Sequence, residues 1–125
     1  MFSYRHAFHA GNHADVLKHT VLIATLDYLL EKDTPLTVVD THAGAGLYRL
    51  DGDYAGASGE ATQGVMRLLA SKGSPGAPAE LAAPIKRYLD IVVGDFNPGK
   101  GSARIYPGSP FITQHLLRDH DRLKL

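Results

Sequence analysis

The segment Asp40-Thr41-His42-Ala43-Gly44-Ala45-Gly46 combines glycines with side chains that can donate or accept hydrogen bonds, and it follows an apolar, β-branched run at 36–39. Glycines let backbone N–H groups approach a bound molecule closely, and ligands of parallel α/β sheets bind at the carboxyl ends of strands. The pattern therefore predicts a strand leading into a cofactor-binding loop. An ordinary strand-to-helix turn is also compatible with it, because the third glycine of the dinucleotide fingerprint is absent.

A second polar loop is Pro107-Gly108-Ser109-Pro110, which precedes the helix-like run 111–118. The order of residues predicts Ser109 as the N-cap and Pro110 as the first helical residue. Unpaired N–H groups at a helix N-terminus attract anions and acceptor groups. A well-capped helix without any ligand explains the pattern equally well.

The third feature that could carry chemistry is the spacing of His6, His9 and His13, because neutral imidazoles are suitable ligands of zinc. Gly11 and Asn12 interrupt a helix that would stack these rings, and the chain has no cysteine. The sequence therefore predicts no metal site and no thiolate nucleophile. It also lacks a Gly-x-Ser-x-Gly elbow and a complete phosphate-binding loop.

The elements that must position these loops follow from apolar periodicity. An irregular arm at 1–12 is expected to precede a helix at about 13–32, which begins with a capping-box-like pair formed by Asn12 and Asp15. Its expected sheet-facing stripe consists of Leu17, Thr20, Val21, Ala24 and Tyr28, with Val16, Ile23 and Leu30 beside them. Further helices are expected at 60–70 and within 79–93, with Pro84 near the first turn of the latter or kinking it.

Shorter elements complete the expected architecture. The run 47–50 is interpreted as the start of a short helix, 103–106 as a brief extended segment and 123–125 as the start of a strand. The two helices between about 52 and 101 are interpreted as a helical insertion. The resulting class is α/β, with one domain divided into the arm at 1–12, the first helix, strand and loop at 13–50, the insertion, and a return to the core at 102–125.

Charge and composition limit the possible functions. Thirteen basic and thirteen acidic residues cancel, so capture of nucleic acid by bulk charge is not expected. No stretch has the length and apolarity of a membrane span or a signal peptide. The expectation is a soluble, cytoplasmic protein.

Three segments taken together point to a family. The arm Ser3-Tyr4-Arg5-His6-x-Phe8-His9-Ala10-Gly11-Asn12-His13-Ala14-Asp15-Val16-Leu17-Lys18-His19, the loop from Asp40 to Tyr48 and the turn Tyr106-Pro107-Gly108-Ser109-Pro110 closely resemble bacterial 23S ribosomal RNA adenine N6-methyltransferases. Some members were earlier described as proteins for using external DNA as a nutrient. The resemblance implies a Rossmann-like sheet, S-adenosylmethionine as cofactor and 23S ribosomal RNA as partner, and it is weakest across 52–101.

The resemblance also implies roles for single residues. His19, His42 and Ser109 would contact the cofactor. Asp40 would be the acidic residue that this family places at the end of the first strand. Gly44 and Gly46 would form the loop whose backbone approaches the cofactor closely. The implied substrate-facing residues are Tyr4, His6 and Lys18. Histidine and lysine N–H groups suit the carboxylate of the cofactor, and a tyrosine ring can stack on an unpaired base.

The sequence departs from the family pattern in one large respect. Members place an Asp-Pro-Pro-Tyr motif after a later strand, where it accepts hydrogen bonds from the target amine, and no Pro-Pro pair occurs in these 125 residues. The acid expected to hold the cofactor ribose would also follow residue 125. The interpretation is an N-terminal portion of such an enzyme that has no catalytic residues of its own and is inactive alone.

Two alternatives of other classes stay open from the residues alone. One is a non-catalytic nucleic-acid-binding module linked to the use of external DNA, although the zero net charge argues against it. The other is a histidine metal protein. Cofactor binding separates the methyltransferase hypothesis from the first, and a metal assay separates it from the second.

Overall fold

A computed structural model describes residues 9–50, 64–71, 81–99 and 104–125. The helices are α1 (His13–Leu29), α2 (Val65–Ser71), α3 (Ala83–Leu89), a π-helical turn (Asp90–Asp95) that continues α3, and α4 (Ser109–Leu116). The strands are β1 (Thr37–Val39), β2 (Leu47–Arg49), β3 (Ile105–Pro107) and β4 (Arg122–Lys124). Among the described residues, no helix combines the length and the apolar character needed to cross a membrane.

Helix α1 begins where the sequence predicts. The Asn12 side chain accepts a hydrogen bond from the backbone N–H of Asp15 at 2.9 Å. In return, the Asp15 carboxylate accepts from the N–H of Gly11 at 3.0 Å, one residue before the position that a standard capping box uses. The helix ends at Leu29, a few residues before the predicted end near 32.

The described strands form two pairs rather than one sheet. β1 pairs in parallel with β4, with Val38 opposite Leu123. β2 pairs antiparallel with β3, with Tyr48 opposite Tyr106. The predicted strands at 36–39 and 123–125 and the extended segment at 103–106 are confirmed within a residue or two.

The expectation of a short helix at 47–50 is wrong, because this run forms strand β2. Its side chains alternate, so that Leu47 and Arg49 are exposed while Tyr48 is buried. Alternation of this kind has the two-residue period of a strand. Pairing with β3, which is distant in sequence, decides the conformation of a run too short to show a helical period.

The buried face of α1 also differs from the predicted stripe. Leu17, Val21 and Tyr28 are 69%, 56% and 72% exposed. The buried residues of the helix are Asp15, His19, Ile23 and Leu26. Their spacing fits one helical face, but two of them are polar, so an apolar stripe could not reveal that face.

The described helices of the region 52–101 share one core with the rest of the chain. Val65, Tyr88 and Ile91 are fully buried, and they belong to the same cluster as Ile23 and Ile112. Pro84 lies in the first turn of α3, which is one of the two positions that the sequence leaves open. Residues 51–63, 72–80 and 100–103 lie outside the described ranges.

Asn97 connects the end of the π-helical turn to strand β3. Its side-chain amide donates to the carbonyls of Val92 and Ile105 at 3.0 and 2.9 Å. Its carbonyl oxygen accepts from the N–H groups of Arg104 and Ile105, each at 2.9 Å. This buried side chain thus holds β3 in place beside the core.

Arg118 and Asp121 fasten the chain after α4 to the end of α1. The Arg118 guanidinium donates to the carbonyl of Lys32 at 2.7 Å and to that of Thr34 at 3.2 Å. Asp121 accepts from Arg118 Nε at 2.9 Å and from the N–H of Leu36 at 2.8 Å. The pair fixes the connection into β1 beside the turn that leads into β4.

Candidate functional site

A cavity of about 260 Å³ lies beyond the carboxyl end of β1, where the loop after this strand meets α1 and the start of α4. Its lining residues come from all of these parts of the chain: Lys18, His19, His42, Ala43, Gly44, Tyr48, Gly108 and Ser109. The carboxyl end of a parallel strand is the expected position for a ligand in an α/β sheet.

Asp40 joins the loop to helix α4. Its backbone N–H donates to the carbonyl of Lys124 at 2.9 Å, which extends the parallel pairing of β1 and β4 by one residue. One carboxylate oxygen accepts from the N–H of His42 at 3.1 Å, and the other accepts from Ser109 Oγ at 2.5 Å. The acid therefore sets the position of two cavity-lining residues.

The prediction of Ser109 as the N-cap is wrong by one residue. Gly108 is the N-cap, in an extended conformation, and α4 begins at Ser109 with Pro110 in its first turn. The Ser109 hydroxyl makes no capping hydrogen bond, because it donates to Asp40 instead. A carboxylate acceptor gives a stronger hydrogen bond than a neutral group does.

The loop glycines adopt backbone conformations that other residues rarely adopt, with φ of +64° at Gly44 and +91° at Gly46. A Cβ at Gly44 would lie 2.5 Å from Tyr48 Oη, and one at Gly46 would lie 2.7 Å from the Phe111 ring. The Gly46 carbonyl also accepts from the N–H of Gly108 at 2.5 Å. The glycines thus allow the loop to pack against β2 and α4.

His19 is the buried histidine of the site, with 1% of its surface exposed. Its Nδ1 lies 2.7 Å from Tyr106 Oη, which in turn lies 3.0 Å from Tyr88 Oη. Burial raises the pKa of Tyr106 well above its usual value, and it raises that of Tyr88 as well. Both phenols are therefore neutral near pH 7.

Lys18 and His42 line the cavity from more exposed positions. Lys18 Nζ lies 3.5 Å from the buried Asp15 carboxylate, and 60% of the lysine side chain is exposed. His42 Nδ1 lies 2.8 Å from Thr41 Oγ1. These groups add a cation and a second imidazole to the lining.

The structure brings together most of the residues selected from the sequence. Lys18, His19, His42, Gly44 and Ser109 line the same cavity, while Asp40 and Gly46 hold the loop that forms its wall. Tyr4 and His6 lie outside the described residues. The roles implied for all of these residues stay predictions.

Some residues of the site had no role assigned from the sequence. Tyr48 and Gly108 line the cavity, and Tyr106 contacts His19. All three belong to the segments that carry the family resemblance, which is the signal that could have selected them. Tyr88 offered no such signal, because it lies within a helix far from those segments in sequence.

The histidines considered as metal ligands in the alternative hypothesis belong only in part to the described residues. His9 and His13 belong to the described residues, and His6 does not. Within the described ranges, no group of three or more histidine, cysteine, aspartate or glutamate side chains has the arrangement to hold a metal ion.

Comparison with known proteins relates the whole chain to one family. The chain is 50% identical over all 125 residues to "Ribosomal RNA large subunit methyltransferase J" of Escherichia coli (strain K12) and covers 41% of that protein. It is 42% identical over the same length to the protein of that name from Haemophilus influenzae and covers 42% of it. The chain thus spans about two fifths of the length of these curated relatives.

A solved structure shows the same fold over most of the chain. The crystal structure of protein LPL1258 from Legionella pneumophila str. Philadelphia 1 superposes with a TM-score of 0.77 at 33% sequence identity. The match covers 92% of this chain and 39% of the Legionella chain. The sequence model of the family described as "Ribosomal RNA large subunit methyltransferase D, RlmJ" matches residues 33–125. The chain therefore belongs to the RlmJ family of ribosomal RNA large subunit methyltransferases.

Proposed function

We propose that this chain forms part of the S-adenosylmethionine site of a cytoplasmic enzyme that methylates N6 of an adenine in 23S ribosomal RNA. The observation that carries the proposal is the cavity beyond β1, which Lys18, His19, His42 and Ser109 line. The names of the two bacterial relatives support methylation of large-subunit ribosomal RNA, and the resemblance of the sequence supports N6 of an adenine as the target. The parallel pair of β1 and β4 is what a Rossmann-like sheet requires at its centre.

The lining residues fit one end of the cofactor. Sites for small molecules commonly enclose about 300–1,000 Å³. A cavity of about 260 Å³ therefore suits one part of S-adenosylmethionine rather than the whole molecule. Among the described residues, the lining contains a cation and imidazole rings and no carboxylate side chain, and carboxylate groups are bound well by such donors. We therefore assign the methionine carboxylate of the cofactor to His19 and His42.

The bound cofactor would supply a methyl group on a sulfonium centre. The role of this chain is to bind and orient that molecule, with Asp40 holding His42 and Ser109 in position. We further propose that Tyr4 and His6 face the substrate adenine, and that Lys18 reaches either ligand from the rim of the cavity. Positioning of this kind is a major source of rate acceleration for a transfer between two bound molecules.

Isothermal titration of the 125-residue chain with S-adenosylmethionine or S-adenosylhomocysteine tests the proposal. We expect binding, and we expect His42→Ala to weaken it by about tenfold, the loss typical of one hydrogen bond to a charged group. His120→Ala is the matched control, because this exposed histidine lies in the turn before β4 and not in the cavity lining.

Absence of cofactor binding by the unaltered chain would contradict the proposal. If the chain instead bound arbitrary DNA at low salt and lost it as salt increased, the nucleic-acid-binding alternative would be favoured. If His42→Ala and His120→Ala weakened cofactor binding equally, the position assigned to the cofactor would be contradicted.

A further inference from the structure

Tyr88, Tyr106 and His19 form a continuous hydrogen-bonded series inside the core. Tyr88 comes from α3, Tyr106 from β3 and His19 from α1. The two tyrosines are completely buried, and His19 is 1% exposed. Since His19 also lines the cavity, the series connects the core directly to the candidate site.

The hydrogens in this series can be arranged in two orders. In the first, Tyr88 donates to Tyr106, and Tyr106 donates to His19 Nδ1, which lies 2.7 Å away. In the second, His19 Nδ1 carries a hydrogen and donates to Tyr106, and Tyr106 donates to Tyr88 at 3.0 Å. Each hydroxyl has one hydrogen, so the choice at one end determines the choice at the other.

The environment of Tyr88 distinguishes the two orders. Among the described residues, Tyr106 Oη is the hydrogen-bond partner of Tyr88 Oη. The second order would leave the Tyr88 hydrogen buried without an acceptor, which carries a full desolvation cost. The first order gives both hydroxyl hydrogens an acceptor and places the remaining hydrogen of the series on His19 Nε2, in a ring that lines the cavity. A doubly protonated His19 would require the second order and bears the same cost.

We infer that Tyr88 and Tyr106 are positioning residues that hold His19 as the neutral tautomer with its hydrogen on Nε2. In this state the ring offers a donor, so His19 suits an acceptor oxygen of a ligand, such as a carboxylate or a sugar hydroxyl. It does not suit an ammonium group. The consequence for the ligand rests on the proposed cofactor site, whereas the tautomer itself does not.

Nitrogen NMR of the 125-residue chain with ¹⁵N-labelled histidine tests the tautomer without any ligand. The His19 resonances are assigned by their absence from the spectrum of His19→Gln. We expect Nδ1 to show the frequency of an unprotonated ring nitrogen and Nε2 that of a protonated one. A hydrogen on Nδ1 would overturn the inference, and so would a doubly protonated ring at neutral pH.

Removing single hydroxyls tests the positioning. Tyr106→Phe is expected to move the Nδ1 resonance downfield, because this nitrogen loses the hydrogen bond it accepts, and to weaken S-adenosylhomocysteine binding by about fivefold. Tyr88→Phe leaves the donor to His19 in place and is expected to have a smaller effect on both measurements. Tyr28→Phe, on the exposed face of α1, is the control for loss of a hydroxyl.

The outcomes separate the two proposals. An Nδ1 resonance and an affinity unchanged in Tyr106→Phe would overturn the positioning role even if the cofactor binds. Lack of cofactor binding together with the expected tautomer would overturn the cofactor site and leave the tautomer assignment standing. If Tyr106→Phe does not fold, the NMR frequencies of the unaltered chain still decide the tautomer.

Discussion

Individual side chains of the site are fixed by groups that the sequence does not place beside them. Asp40 accepts from both the His42 N–H and the Ser109 hydroxyl, although Ser109 is far away in the chain. Gly46 is similarly constrained, because the Phe111 ring occupies the space that its side chain would need. Substitutions here therefore act through tertiary contacts as well as through the local backbone.

A pair of glycine substitutions tests this constraint. Gly46→Ala should reduce the free energy of unfolding by at least about 1–2 kcal/mol, the cost of a left-handed conformation for a residue with a Cβ, because φ is +91° and the Phe111 ring also blocks the new atom. Gly94→Ala is the control, since a Cβ there meets no atom within 4 Å. Because Gly94 lies in the π-helical turn, the control should be neutral or more stable by up to about 1 kcal/mol.

Urea denaturation of the two variants measures the difference. Equal stability of Gly46→Ala and the unaltered chain would show that the loop does not have the conformation described.

At the scale of elements, α1 buries a face that contains Asp15 and His19 and exposes a face that contains Leu17, Val21 and Tyr28. The polar residues can be buried because Asp15 accepts from the Gly11 N–H and His19 is paired with Tyr106. The end of the same helix is fastened by Arg118 and Asp121.

Alanine substitutions on opposite faces of α1 test its orientation. Ile23→Ala should destabilise the chain by about 2–4 kcal/mol, because it leaves a cavity in the core, where Ile23 is 1% exposed. Val21→Ala should change stability by less than about 0.5 kcal/mol, since Val21 is 56% exposed. Thermal unfolding followed by circular dichroism distinguishes the two, and a larger loss at Val21 would contradict this orientation.

Acid should weaken the connection made by Asp121. Arg118 and the hydrogen bonds that Asp121 accepts hold the pKa of this carboxyl well below its ordinary value of 3.8. A carboxyl group whose pKa is lowered by folding stabilises the folded state. Its contribution to the free energy of unfolding is present in full at a pH above the ordinary pKa and is lost as the pH falls below that value. Asp121→Asn should therefore lower Tm at pH 7, and the difference from the unaltered chain should narrow below pH 3.8.

Melting curves between pH 7 and pH 2 provide the measurement, with the exposed Asp119→Asn as the control. A Tm difference that stays constant through this range would show that the Asp121 carboxylate does not contribute in its charged form.

At the scale of the whole molecule, one core joins α1 to the helices between 65 and 95 and to strands β2 and β3. The parallel pair of β1 and β4 lies at the edge where the candidate site forms. The chain spans about two fifths of the length of its curated relatives, and its 125 residues contain no Pro-Pro pair. The groups proposed to bind the cofactor are therefore present without the acceptor motif expected to bind the target amine.

We expect the 125-residue chain to bind cofactor and to transfer no methyl group. Incubation with labelled S-adenosylmethionine and unmodified 23S ribosomal RNA measures the transfer, and the full-length Escherichia coli relative is the positive control. Stoichiometric methylation by this chain would show that the missing motif is not required.

Features that depend on local chemistry or on long matching segments could be predicted from the amino-acid sequence. The start of α1 follows from Asn12 and Asp15, strand β1 from its β-branched run, and family membership from the segments around Tyr4–His19, Asp40–Tyr48 and Tyr106–Pro110. These signals need no knowledge of distant contacts. They also selected most of the residues that line the cavity.

Features that depend on contacts between distant segments could not be predicted in this way, because those contacts exist only in the folded chain. The run 47–50 is a strand because β3 pairs with it, and α1 buries His19 because Tyr106 of β3 is its hydrogen-bond partner. Gly108 rather than Ser109 is the N-cap of α4, because the Ser109 hydroxyl donates its hydrogen to Asp40. In each case a hydrogen bond or a strand pairing between segments far apart in sequence outweighs the local preference.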